Sequence, residues 1–282
     1  MRGYGSAFGA ATILNAVASW KGSAFGIELK TSAEVELNTS GCIKGDVPGI
    51  DTRLIERCVE SVLKYFDLSY GGFVRTWSEI PVASGLKSSS TAANAVVLAT
   101  LDALDEDLDL LEAAKIGVRA ARETGVTITG ALDDALASML GGVVVTDNKE
   151  MKLLRREELE SNVLLLVPEK CLFTRDTDVK RSRLIKPLAD VAFDLAMESE
   201  YEKAMTLNGF IYCGALGLPI EPILRALESG VQGVSLSGTG PSYVALVNED
   251  ILKNLEQVWK ELGGKVIRTK VNNNPATKGR GV

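Results

Sequence analysis

Apolar and polar residues alternate one for one at Ile27-Glu28-Leu29-Lys30 and again at Ala33-Glu34-Val35-Glu36-Leu37, the period of half-buried strands. From Asp51 to Phe66 the period lengthens. Leu54, Ile55, Val59, Val62 and Leu63 share one helical face there, and Asp51-Thr52 suits the N-cap. Gly71–Trp77 reads as a strand, 81–90 as a loop of small residues, and Ser88–Leu104 and Leu108–Glu123 as helices. After a loop rich in glycine and threonine, Asp133–Leu140 leads through Gly141-Gly142 into a Val143–Val145 strand. Leu164–Val167 has the composition of a buried strand, and helical spacing follows at Pro187–Glu198, Tyr201–Leu216 and Glu221–Glu228. Strands at Gly233–Leu236 and Tyr243–Val247 flank a glycine-rich turn, and a helix Ile251–Leu262 and a strand Val266–Lys270 complete the pattern.

Helices and strands mixed without a regular βαβ alternation predict an α+β fold. The charged stretch Asp147–Ser161 is where two domains, 1–150 and 151–282, would meet. The polar tail Asn272–Val282 is expected to be partly disordered. In the mildly apolar N-terminal run, Ala16-Val17-Ala18 has the spacing of a cleavage site. Gly3, Gly5, Gly9, Thr12 and Asn15 interrupt that run, however, and no leucine-rich segment of a signal peptide forms. The stretch Gly209–Leu224 is broken by Pro219 and Pro222 and is too short to span a bilayer. These readings predict a soluble, cytoplasmic protein.

Composition narrows the chemistry. The chain has 282 residues, 46% of them hydrophobic, enough for a sizeable core. A net charge of −6 without a basic block argues against a nucleic-acid surface and against a polybasic membrane patch. Histidine is absent, which excludes a Ser-His-Asp triad, a Cys-His pair and an imidazole-bound metal. Acid–base work therefore falls to Asp, Glu, Lys or Tyr. Cys42, Cys58, Cys171 and Cys213 are scattered without a C-x-x-C pair and read as reduced thiols. Nothing in the composition decides between a monomer and a homo-oligomer.

Three segments are candidates for chemistry. In Pro81-Val82-Ala83-Ser84-Gly85-Leu86-Lys87-Ser88-Ser89-Ser90-Thr91, a glycine and a row of hydroxyl residues stand directly before a helical run. Such a loop presents N–H groups at the positive end of a helix, a site for phosphate oxygens, and the hydroxyls of Ser88–Ser90 add donors or reach a metal ion. A serine-rich N-cap of an ordinary helix fits the same residues equally well. The segment is not a Walker A loop, since G-x-x-x-x-G-K-[ST] does not occur in the chain. Ser237-Gly238-Thr239-Gly240-Pro241 allows close backbone approach to a ligand at Gly238 and Gly240, although a tight hairpin is the simpler reading. The third, Gly3–Ala10, is a lone glycine-rich run and says little by itself.

The pattern P-x-x-x-G-L-x-S-S-S, met at Pro81, Gly85, Leu86, Ser88, Ser89 and Ser90, resembles the signature of the GHMP kinases. Ser237–Pro241 looks like that family's C-terminal glycine motif, in the same order along the chain. The resemblance implies a two-domain α+β fold: an ATP-binding domain over 1–150, a C-terminal domain over 151–282, and ATP, Mg2+ and an alcohol meeting in the cleft. It implies in-line transfer of the γ-phosphoryl group, a reaction that needs positioning and charge neutralisation and proceeds without histidine. Carried over residue by residue, Ser84, Gly85, Leu86, Lys87, Ser88, Ser89, Ser90 and Thr91 wrap the phosphates together with Gly238 and Gly240. Ser89 and Glu123 correspond to the metal partners, and Asp133 or Asp134 to the aspartate that takes the acceptor's proton. Asp133 matches a local D-N or D-Q pattern; Asp134 better matches the spacing from Glu123 and from Gly141-Gly142, and is favoured.

The acceptor is a matter of resemblance alone. Gly9–Ala16, Gly22–Ile27 and Thr129–Ala135 look like the corresponding segments of archaeal shikimate kinases. Shikimate needs a cation for its carboxylate and partners for three hydroxyls. Arg175, Lys180, Arg181 and Arg183 are candidates, each equally at home on a solvated face. Homoserine kinase is the alternative enzyme, and a non-catalytic nucleotide-binding protein the alternative of another class.

Overall fold

A computed structural model of the chain describes residues 1–47, 49, 51–81, 85–127, 129–169 and 179–279. The first part runs β1 (Arg2–Leu14), β2 (Lys21–Asn38), β3 (Ile43–Gly45), α1 (Arg53–Tyr65), β4 (Gly71–Ser78), α2 (Ser88–Leu104), α3 (Leu110–Glu123) and α4 (Leu132–Leu140). Next come β5 (Val143–Asp147), β6 (Lys152–Glu157), β7 (Asn162–Val167), α5 (Val179–Leu184), α6 (Lys186–Met197) and α7 (Tyr201–Leu216). The chain continues through α8 (Glu221–Glu228), β8 (Gly233–Leu236), β9 (Tyr243–Val247), α9 (Glu249–Glu261), β10 (Lys265–Lys270) and β11 (Thr277–Lys278). The fold is α+β, as expected.

Two sheets organise it. The larger has the order β11-β1-β2-β4-β3, with β5 on β2 and β6 on β5. The length of β2 lets it pair with β5 through Lys21–Phe25 and with β4 through Thr31–Asn38, besides pairing with β1. The smaller sheet is antiparallel, in the order β10-β7-β9-β8. Between β6 and β7 the chain passes from one sheet to the other, and β11 returns to the first. The polar tail is thus partly tied down: Asn273 accepts from Arg156 at 3.0 Å and donates to the Leu159 carbonyl at 3.1 Å.

One core lies between the large sheet and α1–α4, and α1 buries the face its spacing predicted, with Cys58 added. The other joins the small sheet and α6–α9 to the opposite face of the large sheet, through Ile13, Phe25, Val143 and Val145. The strand that hydropathy does not announce is β1. Its Gly3 and Gly5 lie directly on the α2 backbone, and a Cβ at Gly3 would stand 2.1 Å from the Ala103 nitrogen. Small side chains let the helix axis approach the strand at the cost of the β-branched composition by which strands are usually read. Helix α2 is buried almost all round, with α1, α3 and α4 on its other sides. Its N-terminus and that of α4 open where the two cores meet.

Candidate active site

The loop ahead of α2 turns through two left-handed residues, Gly85 at φ +80° and Lys87 at φ +65°. Gly85 has no room for a side chain, since a Cβ would stand 2.3 Å from the Ser237 carbonyl oxygen. The Ser237 hydroxyl donates to the Gly85 carbonyl at 2.8 Å, so the two predicted loops are in direct contact. Lys87 then reaches across to α4. Its Nζ lies 2.9 Å from Asp134 Oδ1, with both side chains about nine-tenths buried. The contact is a buried ion pair. The same Nζ stands 3.0 Å from where a Cβ on Gly238 would be, which places the ammonium between the acid pair and the glycine turn.

Helix α4 begins after Ala131, itself left-handed, and puts Asp133 and Asp134 in its first turn. Their side chains part. Asp134 faces Lys87; Asp133 faces the sheet, where a Cβ at Gly22 would meet its carboxyl group at 2.6 Å. Asn148, fully buried after β5, donates to Asp133 Oδ1 at 2.8 Å. Burial pushes the Asp133 carboxyl up to about 7, and the charge of Asp134 adds to the shift, while Lys87 and the Asn148 hydrogen bond oppose it. Burial also raises Asp134, against the pull of Lys87. Two acids share one lysine, so the pair titrates as a unit.

A carboxylate–ammonium pair beside a hydroxyl-rich helix N-terminus is a place to hold phosphate and move a proton, and known proteins say which kind. Residues 53–142, which carry α1–α4, Lys87 and both aspartates, match the N-terminal domain of the GHMP kinases. A shikimate kinase of Methanothrix thermoacetophila is 60% identical over 280 residues, 99% of this chain and 97% of the relative. The chain belongs to the shikimate kinase family of GHMP kinases. A second member, the shikimate kinase of Methanosarcina mazei, is 61% identical over 98% of this chain and 96% of its own. Among solved structures, homoserine kinase from Cytophaga hutchinsonii superposes with a TM-score of 0.76 at 15% identity, covering 98% of this chain and 97% of that one. Mevalonate kinase from Methanococcus jannaschii gives 0.75 at 17%, covering 95% and 98%. At those identities the two structures show the shared GHMP fold alone.

The remaining motif positions of this GHMP kinase sort by what they touch. Ser84 lies outside the described residues. Leu86 is a core residue. Ser88, Ser89 and Ser90 form the first turn of α2, Ser89 the most exposed of them. Thr91 is buried, its hydroxyl donating to the Lys87 carbonyl at 2.9 Å. Gly238 spends both backbone groups inside the protein: its N–H donates to Thr12 Oγ1 at 2.8 Å, and its carbonyl accepts from Asn15 Nδ2 at 2.7 Å. The Gly240 N–H donates to the Ser237 carbonyl. Glu123, at the end of α3, is held at 2.5 Å by Arg57 Nε on the protein surface. Arg181 and Arg183 are exposed on α5 together with Lys180, and Arg175 lies outside the described residues. Thr12 and Asn15 lie within the Gly9–Ala16 segment but were not singled out as site residues, and neither was Asn148. The only signal at Thr12 and Asn15 was a polar residue amid apolar neighbours, and Asn148, in the polar run Thr146–Glu150, gave none. Among the described residues no helix is long and apolar enough to cross a membrane.

Proposed function

We propose that this kinase transfers the γ-phosphoryl group of ATP to a hydroxyl of shikimate, giving shikimate 3-phosphate and ADP, in the cytoplasm. The acceptor follows from the full-length similarity to relatives of that name. The observation that carries the chemistry is the Lys87–Asp134 pair, joined to the loop before α2 and the glycine turn. Residues 1–150 supply the loop and both aspartates, and 151–282 close the cleft with the glycine turn and α7.

The backbone N–H groups and hydroxyls of Ser88–Ser90 at the start of α2 bind phosphate oxygens. Asp134 accepts the proton of the attacking hydroxyl as the new P–O bond forms and the bond to the β-phosphate oxygen breaks. Its raised proton affinity suits it to that task, since a base left at the ordinary carboxylate level takes a proton poorly near neutrality. Lys87 neutralises charge on Asp134 and on the transferring group. Asp133 points away from that event and acts on it through its charge.

Among the described residues no three acidic or sulfur side chains cluster as a protein-built metal cage. The donor set fits a cation held chiefly by waters and phosphate oxygens, as Mg2+ is. Ser89, exposed in the first turn of α2, would hold it; Glu123 would join only by leaving Arg57. When bound, Mg2+ neutralises the β- and γ-phosphate oxygens. A coupled ADP-release assay over shikimate, homoserine and mevalonate tests the reading, with shikimate expected as the productive acceptor. Turnover of homoserine or mevalonate without shikimate overturns the acceptor, and ATP binding with no acceptor-stimulated release overturns the enzyme.

A further inference from the structure

Asn148 belongs to no motif, yet every polar group it has is engaged. Its N–H donates to the Trp20 carbonyl at 2.8 Å, and its carbonyl accepts from Arg122 Nη2 at 3.0 Å. Its Oδ1 accepts from the Thr146 hydroxyl at 2.7 Å, and its Nδ2 donates to Asp133 Oδ1 at 2.8 Å. The ionised Asp133 carboxylate only accepts, so it is the NH2 end of the amide that faces it, and Oδ1 is left to accept from the Thr146 hydroxyl. Arg122 also donates to the Thr129 carbonyl at 2.8 Å and so ties the turn ahead of α4 to the same residue. Asn148 is 0% exposed and touches neither the loop before α2 nor the glycine turn through any of these bonds. Such a residue acts on the reaction only through Asp133.

We propose that Asn148 is a positioning residue for phosphoryl transfer: it holds the Asp133 carboxylate against Gly22, turned from Lys87, so that Asp134 alone meets the lysine and the acceptor. This rests on reading Asp134 as the proton acceptor. A donor at Asp133 favours its ionised form, and a charged Asp133 beside Asp134 makes Asp134 a stronger base. The other titratable or charged groups near Asp133 are Lys87 from the loop before α2, Tyr212 from α7, and Arg122 from α3, which reaches it through Asn148. Lys21 on β2 turns its ammonium to the Phe193 ring, and Asp147 on β5 accepts from the Lys149 and Glu150 N–H groups.

The test is the pH profile of kcat in wild type, Asn148→Leu, Asp133→Asn and the double variant, with folding checked by thermal unfolding. Removing the donor leaves Asp133 neutral over a wider range, so Asp134 becomes a weaker base. The acid limb of kcat is expected to move to lower pH and the plateau to fall about threefold to tenfold, with KM for ATP and shikimate little changed. Asp133→Asn should move the limb the same way, and the double variant should match Asp133→Asn alone rather than add to it. A wild-type limb in Asn148→Leu, a loss confined to KM, or additive losses in the double variant overturns the proposal. Should Asn148→Leu not fold, Thr146→Val removes the hydroxyl that donates to Asn148 Oδ1 and so loosens the amide. A smaller shift in the same direction is then expected, and an unmoved limb overturns the proposal. Failure of the function itself shows separately, as wild type without shikimate-dependent turnover, and failure of the Asp134 role as an active Asp134→Asn.

Discussion

Replacing Asp134 by asparagine removes the carboxylate that Lys87 holds at 2.9 Å. Turnover is expected to fall by about 10²–10⁴-fold, the usual range for a lost general base, with ATP affinity retained. Asp133→Asn should cost at most about tenfold, because an amide oxygen still accepts from Asn148 and only the neighbouring charge is lost. Turnover measured beside nucleotide binding decides between them, and the reverse ranking would make Asp133 the base. Stability gives a second readout. The Asp133 carboxyl ionises at about 7 in the folded chain against an ordinary 3.8, so the folded state is favoured below 3.8 and loses that advantage as pH rises through 7. Asp133→Asn, which cannot ionise, should therefore melt above wild type at pH 8, the gain fading as pH drops toward 4. A gain that grows on acidification would reverse the sign. The loop before α2 and both aspartates could be singled out as candidates because each lies within a few residues of its own signature. The different surroundings of the two aspartates could not be read, although Asp134 was favoured by spacing, since they are set by Gly22, Lys87 and Asn148, all far away in sequence.

At the scale of elements, most of the longer helices were legible to within about two residues, and α2 begins and ends where its pattern does, at Ser88 and Leu104, whereas α5 was read only as a polar stretch. Strand β1 was hidden by the feature that makes it work. A strand pressed onto a helix backbone needs side chains too small to read as β, so Gly3–Ala10 read as no more than a glycine-rich run. Strand β6 was hidden in the charged stretch because one of its faces is open to solvent. Gly3→Val tests the packing: its Cβ would collide with the backbone of Ala103, which cannot rotate away as a side chain can. The loss should exceed the about 1–3 kcal/mol typical of overpacking, read as a drop in the urea midpoint. Gly214 gives the opposite sign. It lies exposed within α7 with nothing near its missing Cβ, so Gly214→Ala should add about 1 kcal/mol through helix propensity alone. Equal effects at the two glycines would mean that β1 does not press on α2.

Across the whole molecule, the two sheets are joined at one residue of β1's exit turn more than anywhere else near the site. Asn15 receives or gives four hydrogen bonds: its N–H to Asn208 Oδ1 at 2.9 Å, its Nδ2 to the Gly238 carbonyl at 2.7 Å, its carbonyl from the Tyr212 hydroxyl at 2.8 Å, and its Oδ1 from the Val17 N–H at 2.9 Å. Three of those partners belong to α7 and the glycine turn, elements of the second half, while Asn15 follows the first strand of the first. Tyr212 is fully buried, and burial keeps its phenol protonated, so it donates to Asn15 while accepting the Ala18 N–H at 3.0 Å. Tyr212→Phe leaves a buried carbonyl and a buried N–H without partners, each costing about 1–3 kcal/mol. The contrast is Tyr201→Phe. There Glu157 loses one donor but keeps Ser199 and Arg155, so the cost should stay near the lower end of that range. If the halves fold as one unit through this junction, calorimetry of Tyr212→Phe should show a single transition at a lower Tm. Substrate binding should weaken with it, because Asn15, which holds the Gly238 carbonyl, loses its bond to α7 through Tyr212. Two separated transitions, with the first half melting as in wild type, would show instead that the halves are only neighbours and that the site is assembled by ligand.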